Sequence, residues 1–285
     1  MKITFWGVRG STPLSGASVL RYGGHTSCVE VTGPEAPSLV FDCGTGARDL
    51  GRSLVERGAT DITVLFSHTH MDHLFALPFF GPINQPGCKV TLGVPASNNV
   101  EAKNKIGRYL NGVFHPLRID DLEADVHFQA IDPGTCFDVG PYRVQTLRLA
   151  HPGGTLGYRV VHGEHSVCYL TDTGPLALPD EGLMAEQPAS QREAELVALL
   201  QGADLMIMDT TFTREEYQQK IDWGHGYPEY AVRVAQEADV AQVALFHHSP
   251  DASDEDMDAI AARWAGHTRP KVFPAQEGLV VDLSG

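Results

Sequence analysis

The sequence contains few cysteines, and no two of them are spaced as a CxxC pair. The five lie scattered through 285 residues, an odd number, at Cys28, Cys43, Cys88, Cys136 and Cys168. This distribution argues against a disulfide framework and against a cysteine-rich zinc site. We therefore expect all five to be reduced.

Positive charge is also scarce. Lys and Arg total 21 against 36 Asp and Glu, which gives a formal net charge of -15. Such a chain repels polyanions unless positive charge is concentrated locally or supplied by bound metal. Long nucleic acid is therefore a poor candidate for a partner.

Long apolar runs are missing as well. No stretch approaches the roughly 20 apolar residues of a membrane span. The N-terminal MKITFWGVRGSTP is interrupted by glycine and arginine within a few residues, which does not suit a signal peptide. We expect no membrane association and a cytoplasmic location.

Short β-type runs followed by turn residues dominate both halves of the chain. Strands are predicted at 2–6, 28–31, 38–41, 62–66, 142–147, 156–161, 166–170, 205–208 and 243–246, and helices after the third strand and at about 100–110, 191–200, 228–238 and 254–265. Each half runs from meandering strands into alternating strands and helices. The pattern predicts an α/β (α+β) fold with two packed sheets and outer helices, a four-layer αββα sandwich, as a single domain over 1–285.

The periodicity is weaker between about 75 and 132. There LPFFGPINQPG precedes the predicted helix at 100–110, and GVFHPLRIDDL follows it. We interpret this range as an insertion or lid covering the site.

The strongest local signal is SHTHMDH, directly after the predicted strand at 62–66. It places His68, His70, Asp72 and His73 on one tight turn. Imidazole and carboxylate hold Zn²⁺, Mn²⁺ or Fe²⁺, and more than three such ligands in one turn exceed what a single catalytic metal with an open position requires. The motif therefore predicts two metals.

HTHMDH resembles the signature of the metallo-β-lactamase superfamily, and the similarity extends across nearly the whole chain. The resemblance implies a metal-dependent hydrolase with two divalent ions, Zn²⁺ first, with Mn²⁺ or Fe²⁺ as alternatives. One metal is expected on His68, His70 and His151. The other is expected on Asp72, His73 and His247, and Asp172 is expected to bridge the two. Asp42, in FDCGTG, matches the aspartate that lies beneath the metals and orients a ligand histidine.

The last ligand is open between two neighbours, His247 and His248 in LFHHSPD. Adjacent side chains at a strand's end point to opposite faces, so only one is expected to bind. In similar proteins the histidine aligned with His247 takes the metal, and we prefer it.

The segment DWGHGYPEYAVRVAQEADVAQVALFHH resembles the ribonuclease Z and phosphodiesterase branch of the superfamily. The resemblance implies that His225 stabilises phosphate and protonates the leaving oxygen, that Asp209 orients His225, and that Asp72 orients the nucleophile. The sequence departs from the branch at Gly226 and Tyr227, where serine and threonine are usual, and at His25, where asparagine is usual. These departures bear on the substrate more than on the metals.

The motifs WGVRGSTP, FDCGTG, HPGG and LFHHSPD are most similar to stand-alone cyclic-nucleotide phosphodiesterases, which include anti-Pycsar-like and phosphoribosyl cyclic phosphodiesterase-like proteins. The long basic arm of ribonuclease Z has no counterpart here. The first hypothesis is a phosphodiesterase that cuts a small phosphodiester, above all a cyclic nucleotide, by attack of a hydroxide held between two metals. The alternatives are a ribonuclease Z-like RNA-processing nuclease, a glyoxalase- or lactamase-type hydrolase and a non-catalytic sensor.

Two further expectations concern the partners. Related proteins form homodimers, which implies a symmetric dimer. Aromatic faces can stack on a base, so the candidates for specificity within the insertion are Phe79, Phe80, Phe114 and His115.

Overall fold

The computed structural model of the protein describes residues 1–176 and 189–284. Within these residues fourteen strands form two sheets of seven. The strands are β1 (Lys2–Gly7), β2 (Cys28–Thr32), β3 (Ser38–Phe41), β4 (Asp61–Leu65), β5 (Lys89–Pro95), β6 (Asp125–Ile131), β7 (Cys136–Val139), β8 (Tyr142–Arg148), β9 (Leu156–His162), β10 (His165–Leu170), β11 (Leu205–Asp209), β12 (Gln242–Phe246), β13 (Lys271–Pro274) and β14 (Val280–Asp282). The α-helices are α1 (Ala47–Glu56), α2 (Met71–Leu74), α3 (Asn99–Tyr109), α4 (Ala189–Leu200), α5 (Arg214–Tyr217), α6 (Pro228–Glu237) and α7 (Asp254–Trp264). None of the described helices is long and apolar enough to cross a bilayer.

The two sheets share one connectivity pattern. The first has the order β14-β1-β2-β3-β4-β5-β6 and the second β13-β12-β11-β10-β9-β8-β7. In the first, β1 to β3 pair antiparallel and β3 to β6 parallel. In the second, β7 to β10 pair antiparallel and β10 to β13 parallel. The predicted repetition of the two halves is confirmed.

The main core lies between the sheets, where apolar side chains of both interdigitate. The rings of Phe41 and Tyr169, from opposite sheets, stack with centroids 4.7 Å apart. The Tyr158 hydroxyl donates to the carbonyl of Phe66 across the same interface at 2.6 Å. Two further cores lie under α1 and α3 on the first sheet and under α4, α6 and α7 on the second. The four-layer αββα arrangement is thus confirmed, and the shared core supports the proposal of a single domain.

The range 75–132 requires a correction, because two of its segments are strands of the first sheet. β5 pairs parallel with β4, and β6 pairs parallel with β5. Both strands carry the apolar and polar alternation of a strand, with Val90, Leu92 and Val94 in β5 and Val126 and Phe128 in β6, a signal that the interpretation of this range as an insertion overlooked. Only the segments around β5, including α3, lie outside the sheet. Whether they cover the site remains a prediction.

Candidate metal centre

All the predicted site residues except His225 lie at a strand end or shortly after one. Asp42 follows β3, the SHTHMDH turn follows β4, and Asp209 is the last residue of β11. Three more positions come soon after β8, β10 and β12, namely His151, Asp172 and His247. Asp42, Asp172 and His247 have φ values of 60°, 49° and 59°. Non-glycine residues rarely adopt this left-handed conformation, and where they do the backbone is strained in order to aim a side chain. Strained residues of this kind cluster at functional sites, which marks this edge of the sheets as a candidate site.

A first group of possible ligands comprises His68, His70, His151 and Asp172, whose ligand atoms all lie within 4.8 Å of one another. His151 Nε2 lies 3.2 Å from His70 Nδ1 and 3.5 Å from Asp172 Oδ2. His70 is exposed, whereas the other three are buried. The group therefore has a buried floor and one ligand at the opening.

A second group, Asp72, His73, Asp172 and His247, adjoins the first. The Nε2 atoms of His73 and His247 each lie 3.0 Å from Asp172 Oδ1. They lie 3.1 and 3.3 Å from Asp72 Oδ2. Asp172 thus turns one oxygen toward each group, the arrangement expected of a bridging carboxylate.

Each buried histidine uses its other ring nitrogen to contact the protein. Nδ1 of His73 lies 2.8 Å from Asp42 Oδ2, and Nδ1 of His151 lies 3.0 Å from the carbonyl of Gly224. Nδ1 of His247 lies 3.0 Å from the Thr211 hydroxyl. These contacts orient the rings so that Nε2 faces the centre, as is usual for metal-ligating histidines.

Asp42 is the hub of a buried network beneath the groups. Its Oδ2 accepts from the hydroxyls of Ser67 and Tyr169, each at 2.8 Å, as well as from His73. Its Oδ1 accepts the backbone N–H of Ser67 at 2.7 Å. The sequence predicted Asp42 but not Ser67 or Tyr169, because Tyr169 lies on the opposite sheet and no local pattern marks it.

The residues present fit two divalent cations. Nε2 of His68 is fully buried and has no hydrogen-bond partner among the described residues, and Nε2 of His73 is buried between the carboxylates of Asp72 and Asp172. Burying a polar atom without a partner is costly, and most buried polar atoms avoid it. A set of imidazole nitrogens and carboxylate oxygens suits zinc, manganese and iron alike. A cation in each group would satisfy these nitrogens.

The charges around the site also favour a bound cation. Burial lowers the pKa of His68 well below its usual value, and the nearby His73 adds to this, so the ring is neutral and its lone pair is free. Burial alone would raise the pKa of the Asp172 carboxyl, but His247 and His73 beside it outweigh burial and hold that pKa well below the ordinary range. Asp172 is therefore an anion deep in the protein, which requires positive charge beside it.

His225 and Asp209 form a pair at the edge of the second group. Nδ1 of His225 lies 2.7 Å from Asp209 Oδ2, and the imidazole stacks on His247 with centroids 5.1 Å apart. Burial alone would lower the pKa of His225, but the Asp209 carboxylate outweighs it and raises that pKa to about 9. The structure thus places a buried imidazole and carboxylate pair against the candidate metal groups.

The departure at Gly226 has a structural reason. Its N–H donates to Asp209 Oδ1 at 3.2 Å, and a Cβ at this position would lie 2.6 Å from the carbonyl oxygen of Asp209. The same Oδ1 accepts the backbone N–H and the hydroxyl of Thr211, each at 2.9 Å. Glycine allows the close approach that fixes the Asp209 carboxylate, while Thr211 supplies a hydroxyl that sequence reasoning missed.

The structure brings His247, and not His248, into the ligand group. Nε2 of His248 donates to the carbonyl of Ala275 at 2.7 Å, on the other side of β12. Burial lowers the pKa of His248 to about 3, so it stays neutral in that contact. His25 lies outside both groups, with Nδ1 3.2 Å from the Thr45 hydroxyl.

A loop after β1 closes one wall of the site, although the sequence analysis assigned it no role. The Arg9 guanidinium is buried and donates to the carbonyls of Gly23, Ser249 and Ala252. Two residues later, the backbone N–H of Ser11 donates to Asp72 Oδ2 at 2.9 Å. The loop therefore supports a carboxylate at the mouth of the site.

Gly10, in this loop, lies against a candidate ligand. A Cβ there would stand 2.5 Å from Nδ1 of His247. We expect Gly10→Ala to displace that imidazole and to weaken metal affinity in the second group by about 10- to 100-fold, the usual cost of disturbing support around a ligand. Competition with a chelator measures this. The control is Gly266→Ala, since no atom lies within 4 Å of its added Cβ, and equal affinities in the two variants would contradict the expectation.

The aromatic residues predicted for specificity separate into two classes. Phe80 is fully buried and packs under α1, so it is unavailable to a substrate. Phe79 is half exposed and meets His115 edge to face at 5.3 Å, and Phe114 is 72% exposed. These three remain candidates.

Comparison with known proteins places this geometry in a family. Ribonuclease Z of Bacillus thuringiensis (strain Al Hakam) is 22% identical over 87% of this chain and 89% of its own length. The metallo-β-lactamase fold protein YhfI from Bacillus subtilis superposes with a TM-score of 0.69 at 19% identity, covering 98% of each chain. A diphosphatase from the PhnP family superposes with a TM-score of 0.67 at 16% identity, covering 99% of this chain and 97% of its own.

Two packed mixed sheets with outer helices and a His/Asp cluster at their strand ends define the class of metal-dependent hydrolases with the metallo-β-lactamase fold. The family model described as the β-lactamase superfamily domain matches residues 38–248, and the chain belongs to that superfamily.

Proposed function

We propose that the protein hydrolyses small phosphodiesters, with cyclic nucleotides as the first candidates. The observation that carries the proposal is the buried His225–Asp209 pair, 2.7 Å apart, whose imidazole packs against His151 and His247. A protonated imidazole held by a carboxylate beside a metal site suits the protonation of an oxygen leaving group.

The cations would be held by the two groups described above. His68, His70 and His151 would bind one ion, Asp72, His73 and His247 the other, with Asp172 contributing one oxygen to each. When bound, two divalent cations neutralise charge on the phosphate and lower the pKa of water so that it attacks phosphorus at neutral pH. Zinc is the first candidate, with manganese or iron as alternatives, because the ligand set suits all three.

Asp72 would orient the attacking water. Its carboxylate lies at the opening rather than on the floor, and its Oδ2 is fixed by the N–H of Ser11 and by His73 and His247. The second oxygen can therefore accept a hydrogen bond from water without the side chain turning away. Such fixed geometry is the main contribution that a protein makes to attack at phosphorus.

His225 would donate its Nε2 proton to the leaving oxygen. Asp209 fixes the ring through Nδ1, which leaves Nε2 as the only donor available to a substrate. The three donors to Asp209 Oδ1 keep that carboxylate from turning. A thioester hydrolase releases a thiolate, which leaves without a proton, so a general acid in this place favours a leaving group that must be protonated, such as the ribose oxygen of a phosphodiester. A lactam nitrogen also needs a proton, and the substrate panel below distinguishes that case.

A ribonuclease Z-like nuclease is the second candidate, because the Bacillus ribonuclease Z matches most of both chains. Cleavage of RNA would require a grip on a long polyanion, and the net charge of -15 opposes this. A small substrate avoids that repulsion, since only one phosphate needs to be neutralised.

A substrate panel tests the proposal. The protein loaded with zinc, manganese or iron would be assayed with cyclic mononucleotides, cyclic ribose phosphate, a bis-aryl phosphodiester, a β-lactam, a thioester and a transfer-RNA precursor. We expect the cyclic nucleotides to be cut with the highest kcat/KM. Cleavage of the RNA alone, weakening steeply with salt, would instead support the nuclease, and cleavage of the lactam or thioester alone would refute both.

The homodimer is proposed on the resemblance alone, and the cytoplasmic location on the sequence pattern. We infer a symmetric homodimer and a cytoplasmic protein. Light scattering on the eluting protein measures the mass in solution, which for a dimer is twice 30.9 kDa.

A further inference from the structure

An exposed aromatic and cationic surface lies beside the proposed general acid, His225. We call it the corner, and it is formed by Trp223 and Lys220 over the ring of Phe212. Trp223 is 61% exposed, although it stands only two residues from His225. Its indole meets Phe212 at 6.3 Å between centroids, and Phe212 in turn meets His225 at 5.7 Å. A continuous row of rings therefore leads from the centre of the site to an open indole.

A lysine completes this corner. The Lys220 ammonium lies 4.7 Å from the centroid of Phe212 and 5.4 Å from that of Trp223. Among the described residues no carboxylate lies within ion-pair distance of it, in a chain where acidic residues outnumber basic ones by 36 to 21. A cation held over two rings and unpaired is available to an acceptor on a ligand.

The corner is held rigidly against the metal groups. Lys220 and Trp223 close one short 3-10 turn through a 3.0 Å backbone hydrogen bond. The following Gly224 has φ 73°, and its carbonyl lies 3.0 Å from Nδ1 of His151. A ligand on Trp223 would therefore be placed at a fixed distance from the phosphate position, as substrate recognition requires.

We propose that Trp223 and Lys220 form the subsite for the nucleobase of the substrate. The inference rests on the proposed phosphodiesterase function and makes its substrate class specific: a phosphodiester that carries a base. The base stacks on the indole, and Lys220 donates to a carbonyl oxygen or ring nitrogen at the edge of the base. Every base has a π-face, so stacking supplies affinity that tolerates different bases, and the ammonium favours those with an acceptor edge.

Substitutions at Trp223 separate stacking from simple packing. For a 3′,5′-cyclic nucleotide, Trp223→Ala should raise KM by roughly 5- to 150-fold, the range that stacking of one base contributes, with kcat nearly unchanged. Trp223→Phe should recover most of the loss, whereas Trp223→Leu, apolar but not aromatic, should not. Cyclic ribose phosphate, which has no base, should be cut equally by all four proteins. Val100→Ala serves as the control, because Val100 is an exposed apolar residue on α3, outside this corner.

Lys220 is tested by a matched pair. Lys220→Met keeps the aliphatic stem and removes the charge, so it should raise KM for the cyclic nucleotide, while Lys220→Arg should not.

A transfer-RNA precursor is assayed alongside. If Trp223→Ala raises KM for the cyclic nucleotides, the subsite binds the base of a free nucleotide. If it raises KM for the precursor alone, the subsite binds the base at the end of an RNA, which would overturn the assignment to a small substrate.

A second measurement does not depend on turnover. Guanosine monophosphate should quench tryptophan fluorescence of the chelator-treated wild type, and the quench should be lost in Trp223→Phe, which retains Trp6 and Trp264. If no phosphodiester is cleaved but the quench is found, the proposed activity fails and the nucleobase site stands. The opposite result is also possible. If cyclic nucleotides are cleaved, but Trp223→Ala leaves both their KM relative to cyclic ribose phosphate and the fluorescence quench unchanged, the subsite is refuted and the activity stands.

Discussion

Replacing Asp172 with alanine is expected to release both metals and to reduce phosphodiester hydrolysis to background. Asp172 turns Oδ1 toward His73 and His247 at 3.0 Å and Oδ2 toward His151 at 3.5 Å. Removing the carboxylate leaves buried histidines facing one another without the anion that balances a cation, so neither group retains its affinity. Elemental analysis of the purified variant, together with kcat/KM on the best substrate, measures the effect.

The control for this variant is Asp120→Ala, which removes an exposed carboxylate whose ion pair within the described part of the chain is with Lys103. It should keep the metal content and the activity of the wild type. Thermal unfolding of both variants distinguishes loss of metal from loss of fold. Two ions per chain and full activity in Asp172→Ala would show that the cluster is not the catalytic centre.

His225→Ala is expected to keep both metals and to lose about 10²- to 10⁴-fold in kcat, the usual contribution of one general acid. The imidazole is held by Asp209 at 2.7 Å and stacks beside His247. Its ligand atom lies within 4.8 Å of those of Asp209 and His247, but His225 belongs to neither of the two groups that share Asp172. The loss should depend on the leaving group. It should be large for a ribose oxygen, which must be protonated, and small for a nitrophenolate, which leaves without a proton.

The control for His225 is another histidine and aspartate pair remote from the site. His127 lies 2.9 Å from Asp125 on the exposed strand β6. His127→Ala should change neither rate nor leaving-group dependence. Equal losses for both leaving groups in His225→Ala would mean that His225 holds the site together rather than donating a proton.

Predictions from the sequence were most accurate where the signal came from residues close together in the chain. HTHMDH was interpretable because four ligands within six residues need only one turn at the end of β4. Interior strands such as β4 and β12 were found from short, strongly apolar runs. The short strands β7, β13 and β14 were missed because three or four residues at or near a sheet edge carry little pattern.

In the range 75–132 the sequence analysis overlooked a signal that is present. Apolar residues alternate with polar ones or glycine in both of its strands, KVTLGVP in β5 and DVHFQAI in β6. The pairing of these strands with the rest of the first sheet could not be predicted, because backbone hydrogen bonds carry no side-chain signature. Phe80 likewise could not be distinguished from Phe79 by sequence, since which ring is buried depends on the packing of α1.

The superfamily, the αββα architecture and the residues able to bind metal could be inferred without coordinates, because residue types and short motifs carry these signals. Three features required the folded structure: which of His247 and His248 faces the ligand group, the support of Asp42 by Tyr169 and Ser67, and the approach of the Arg9 loop to Asp72. The physical reason is that these contacts join residues up to about 240 positions apart. Their geometry exists only once both sheets have packed, and a strained backbone at His247 is stable only in that packed state.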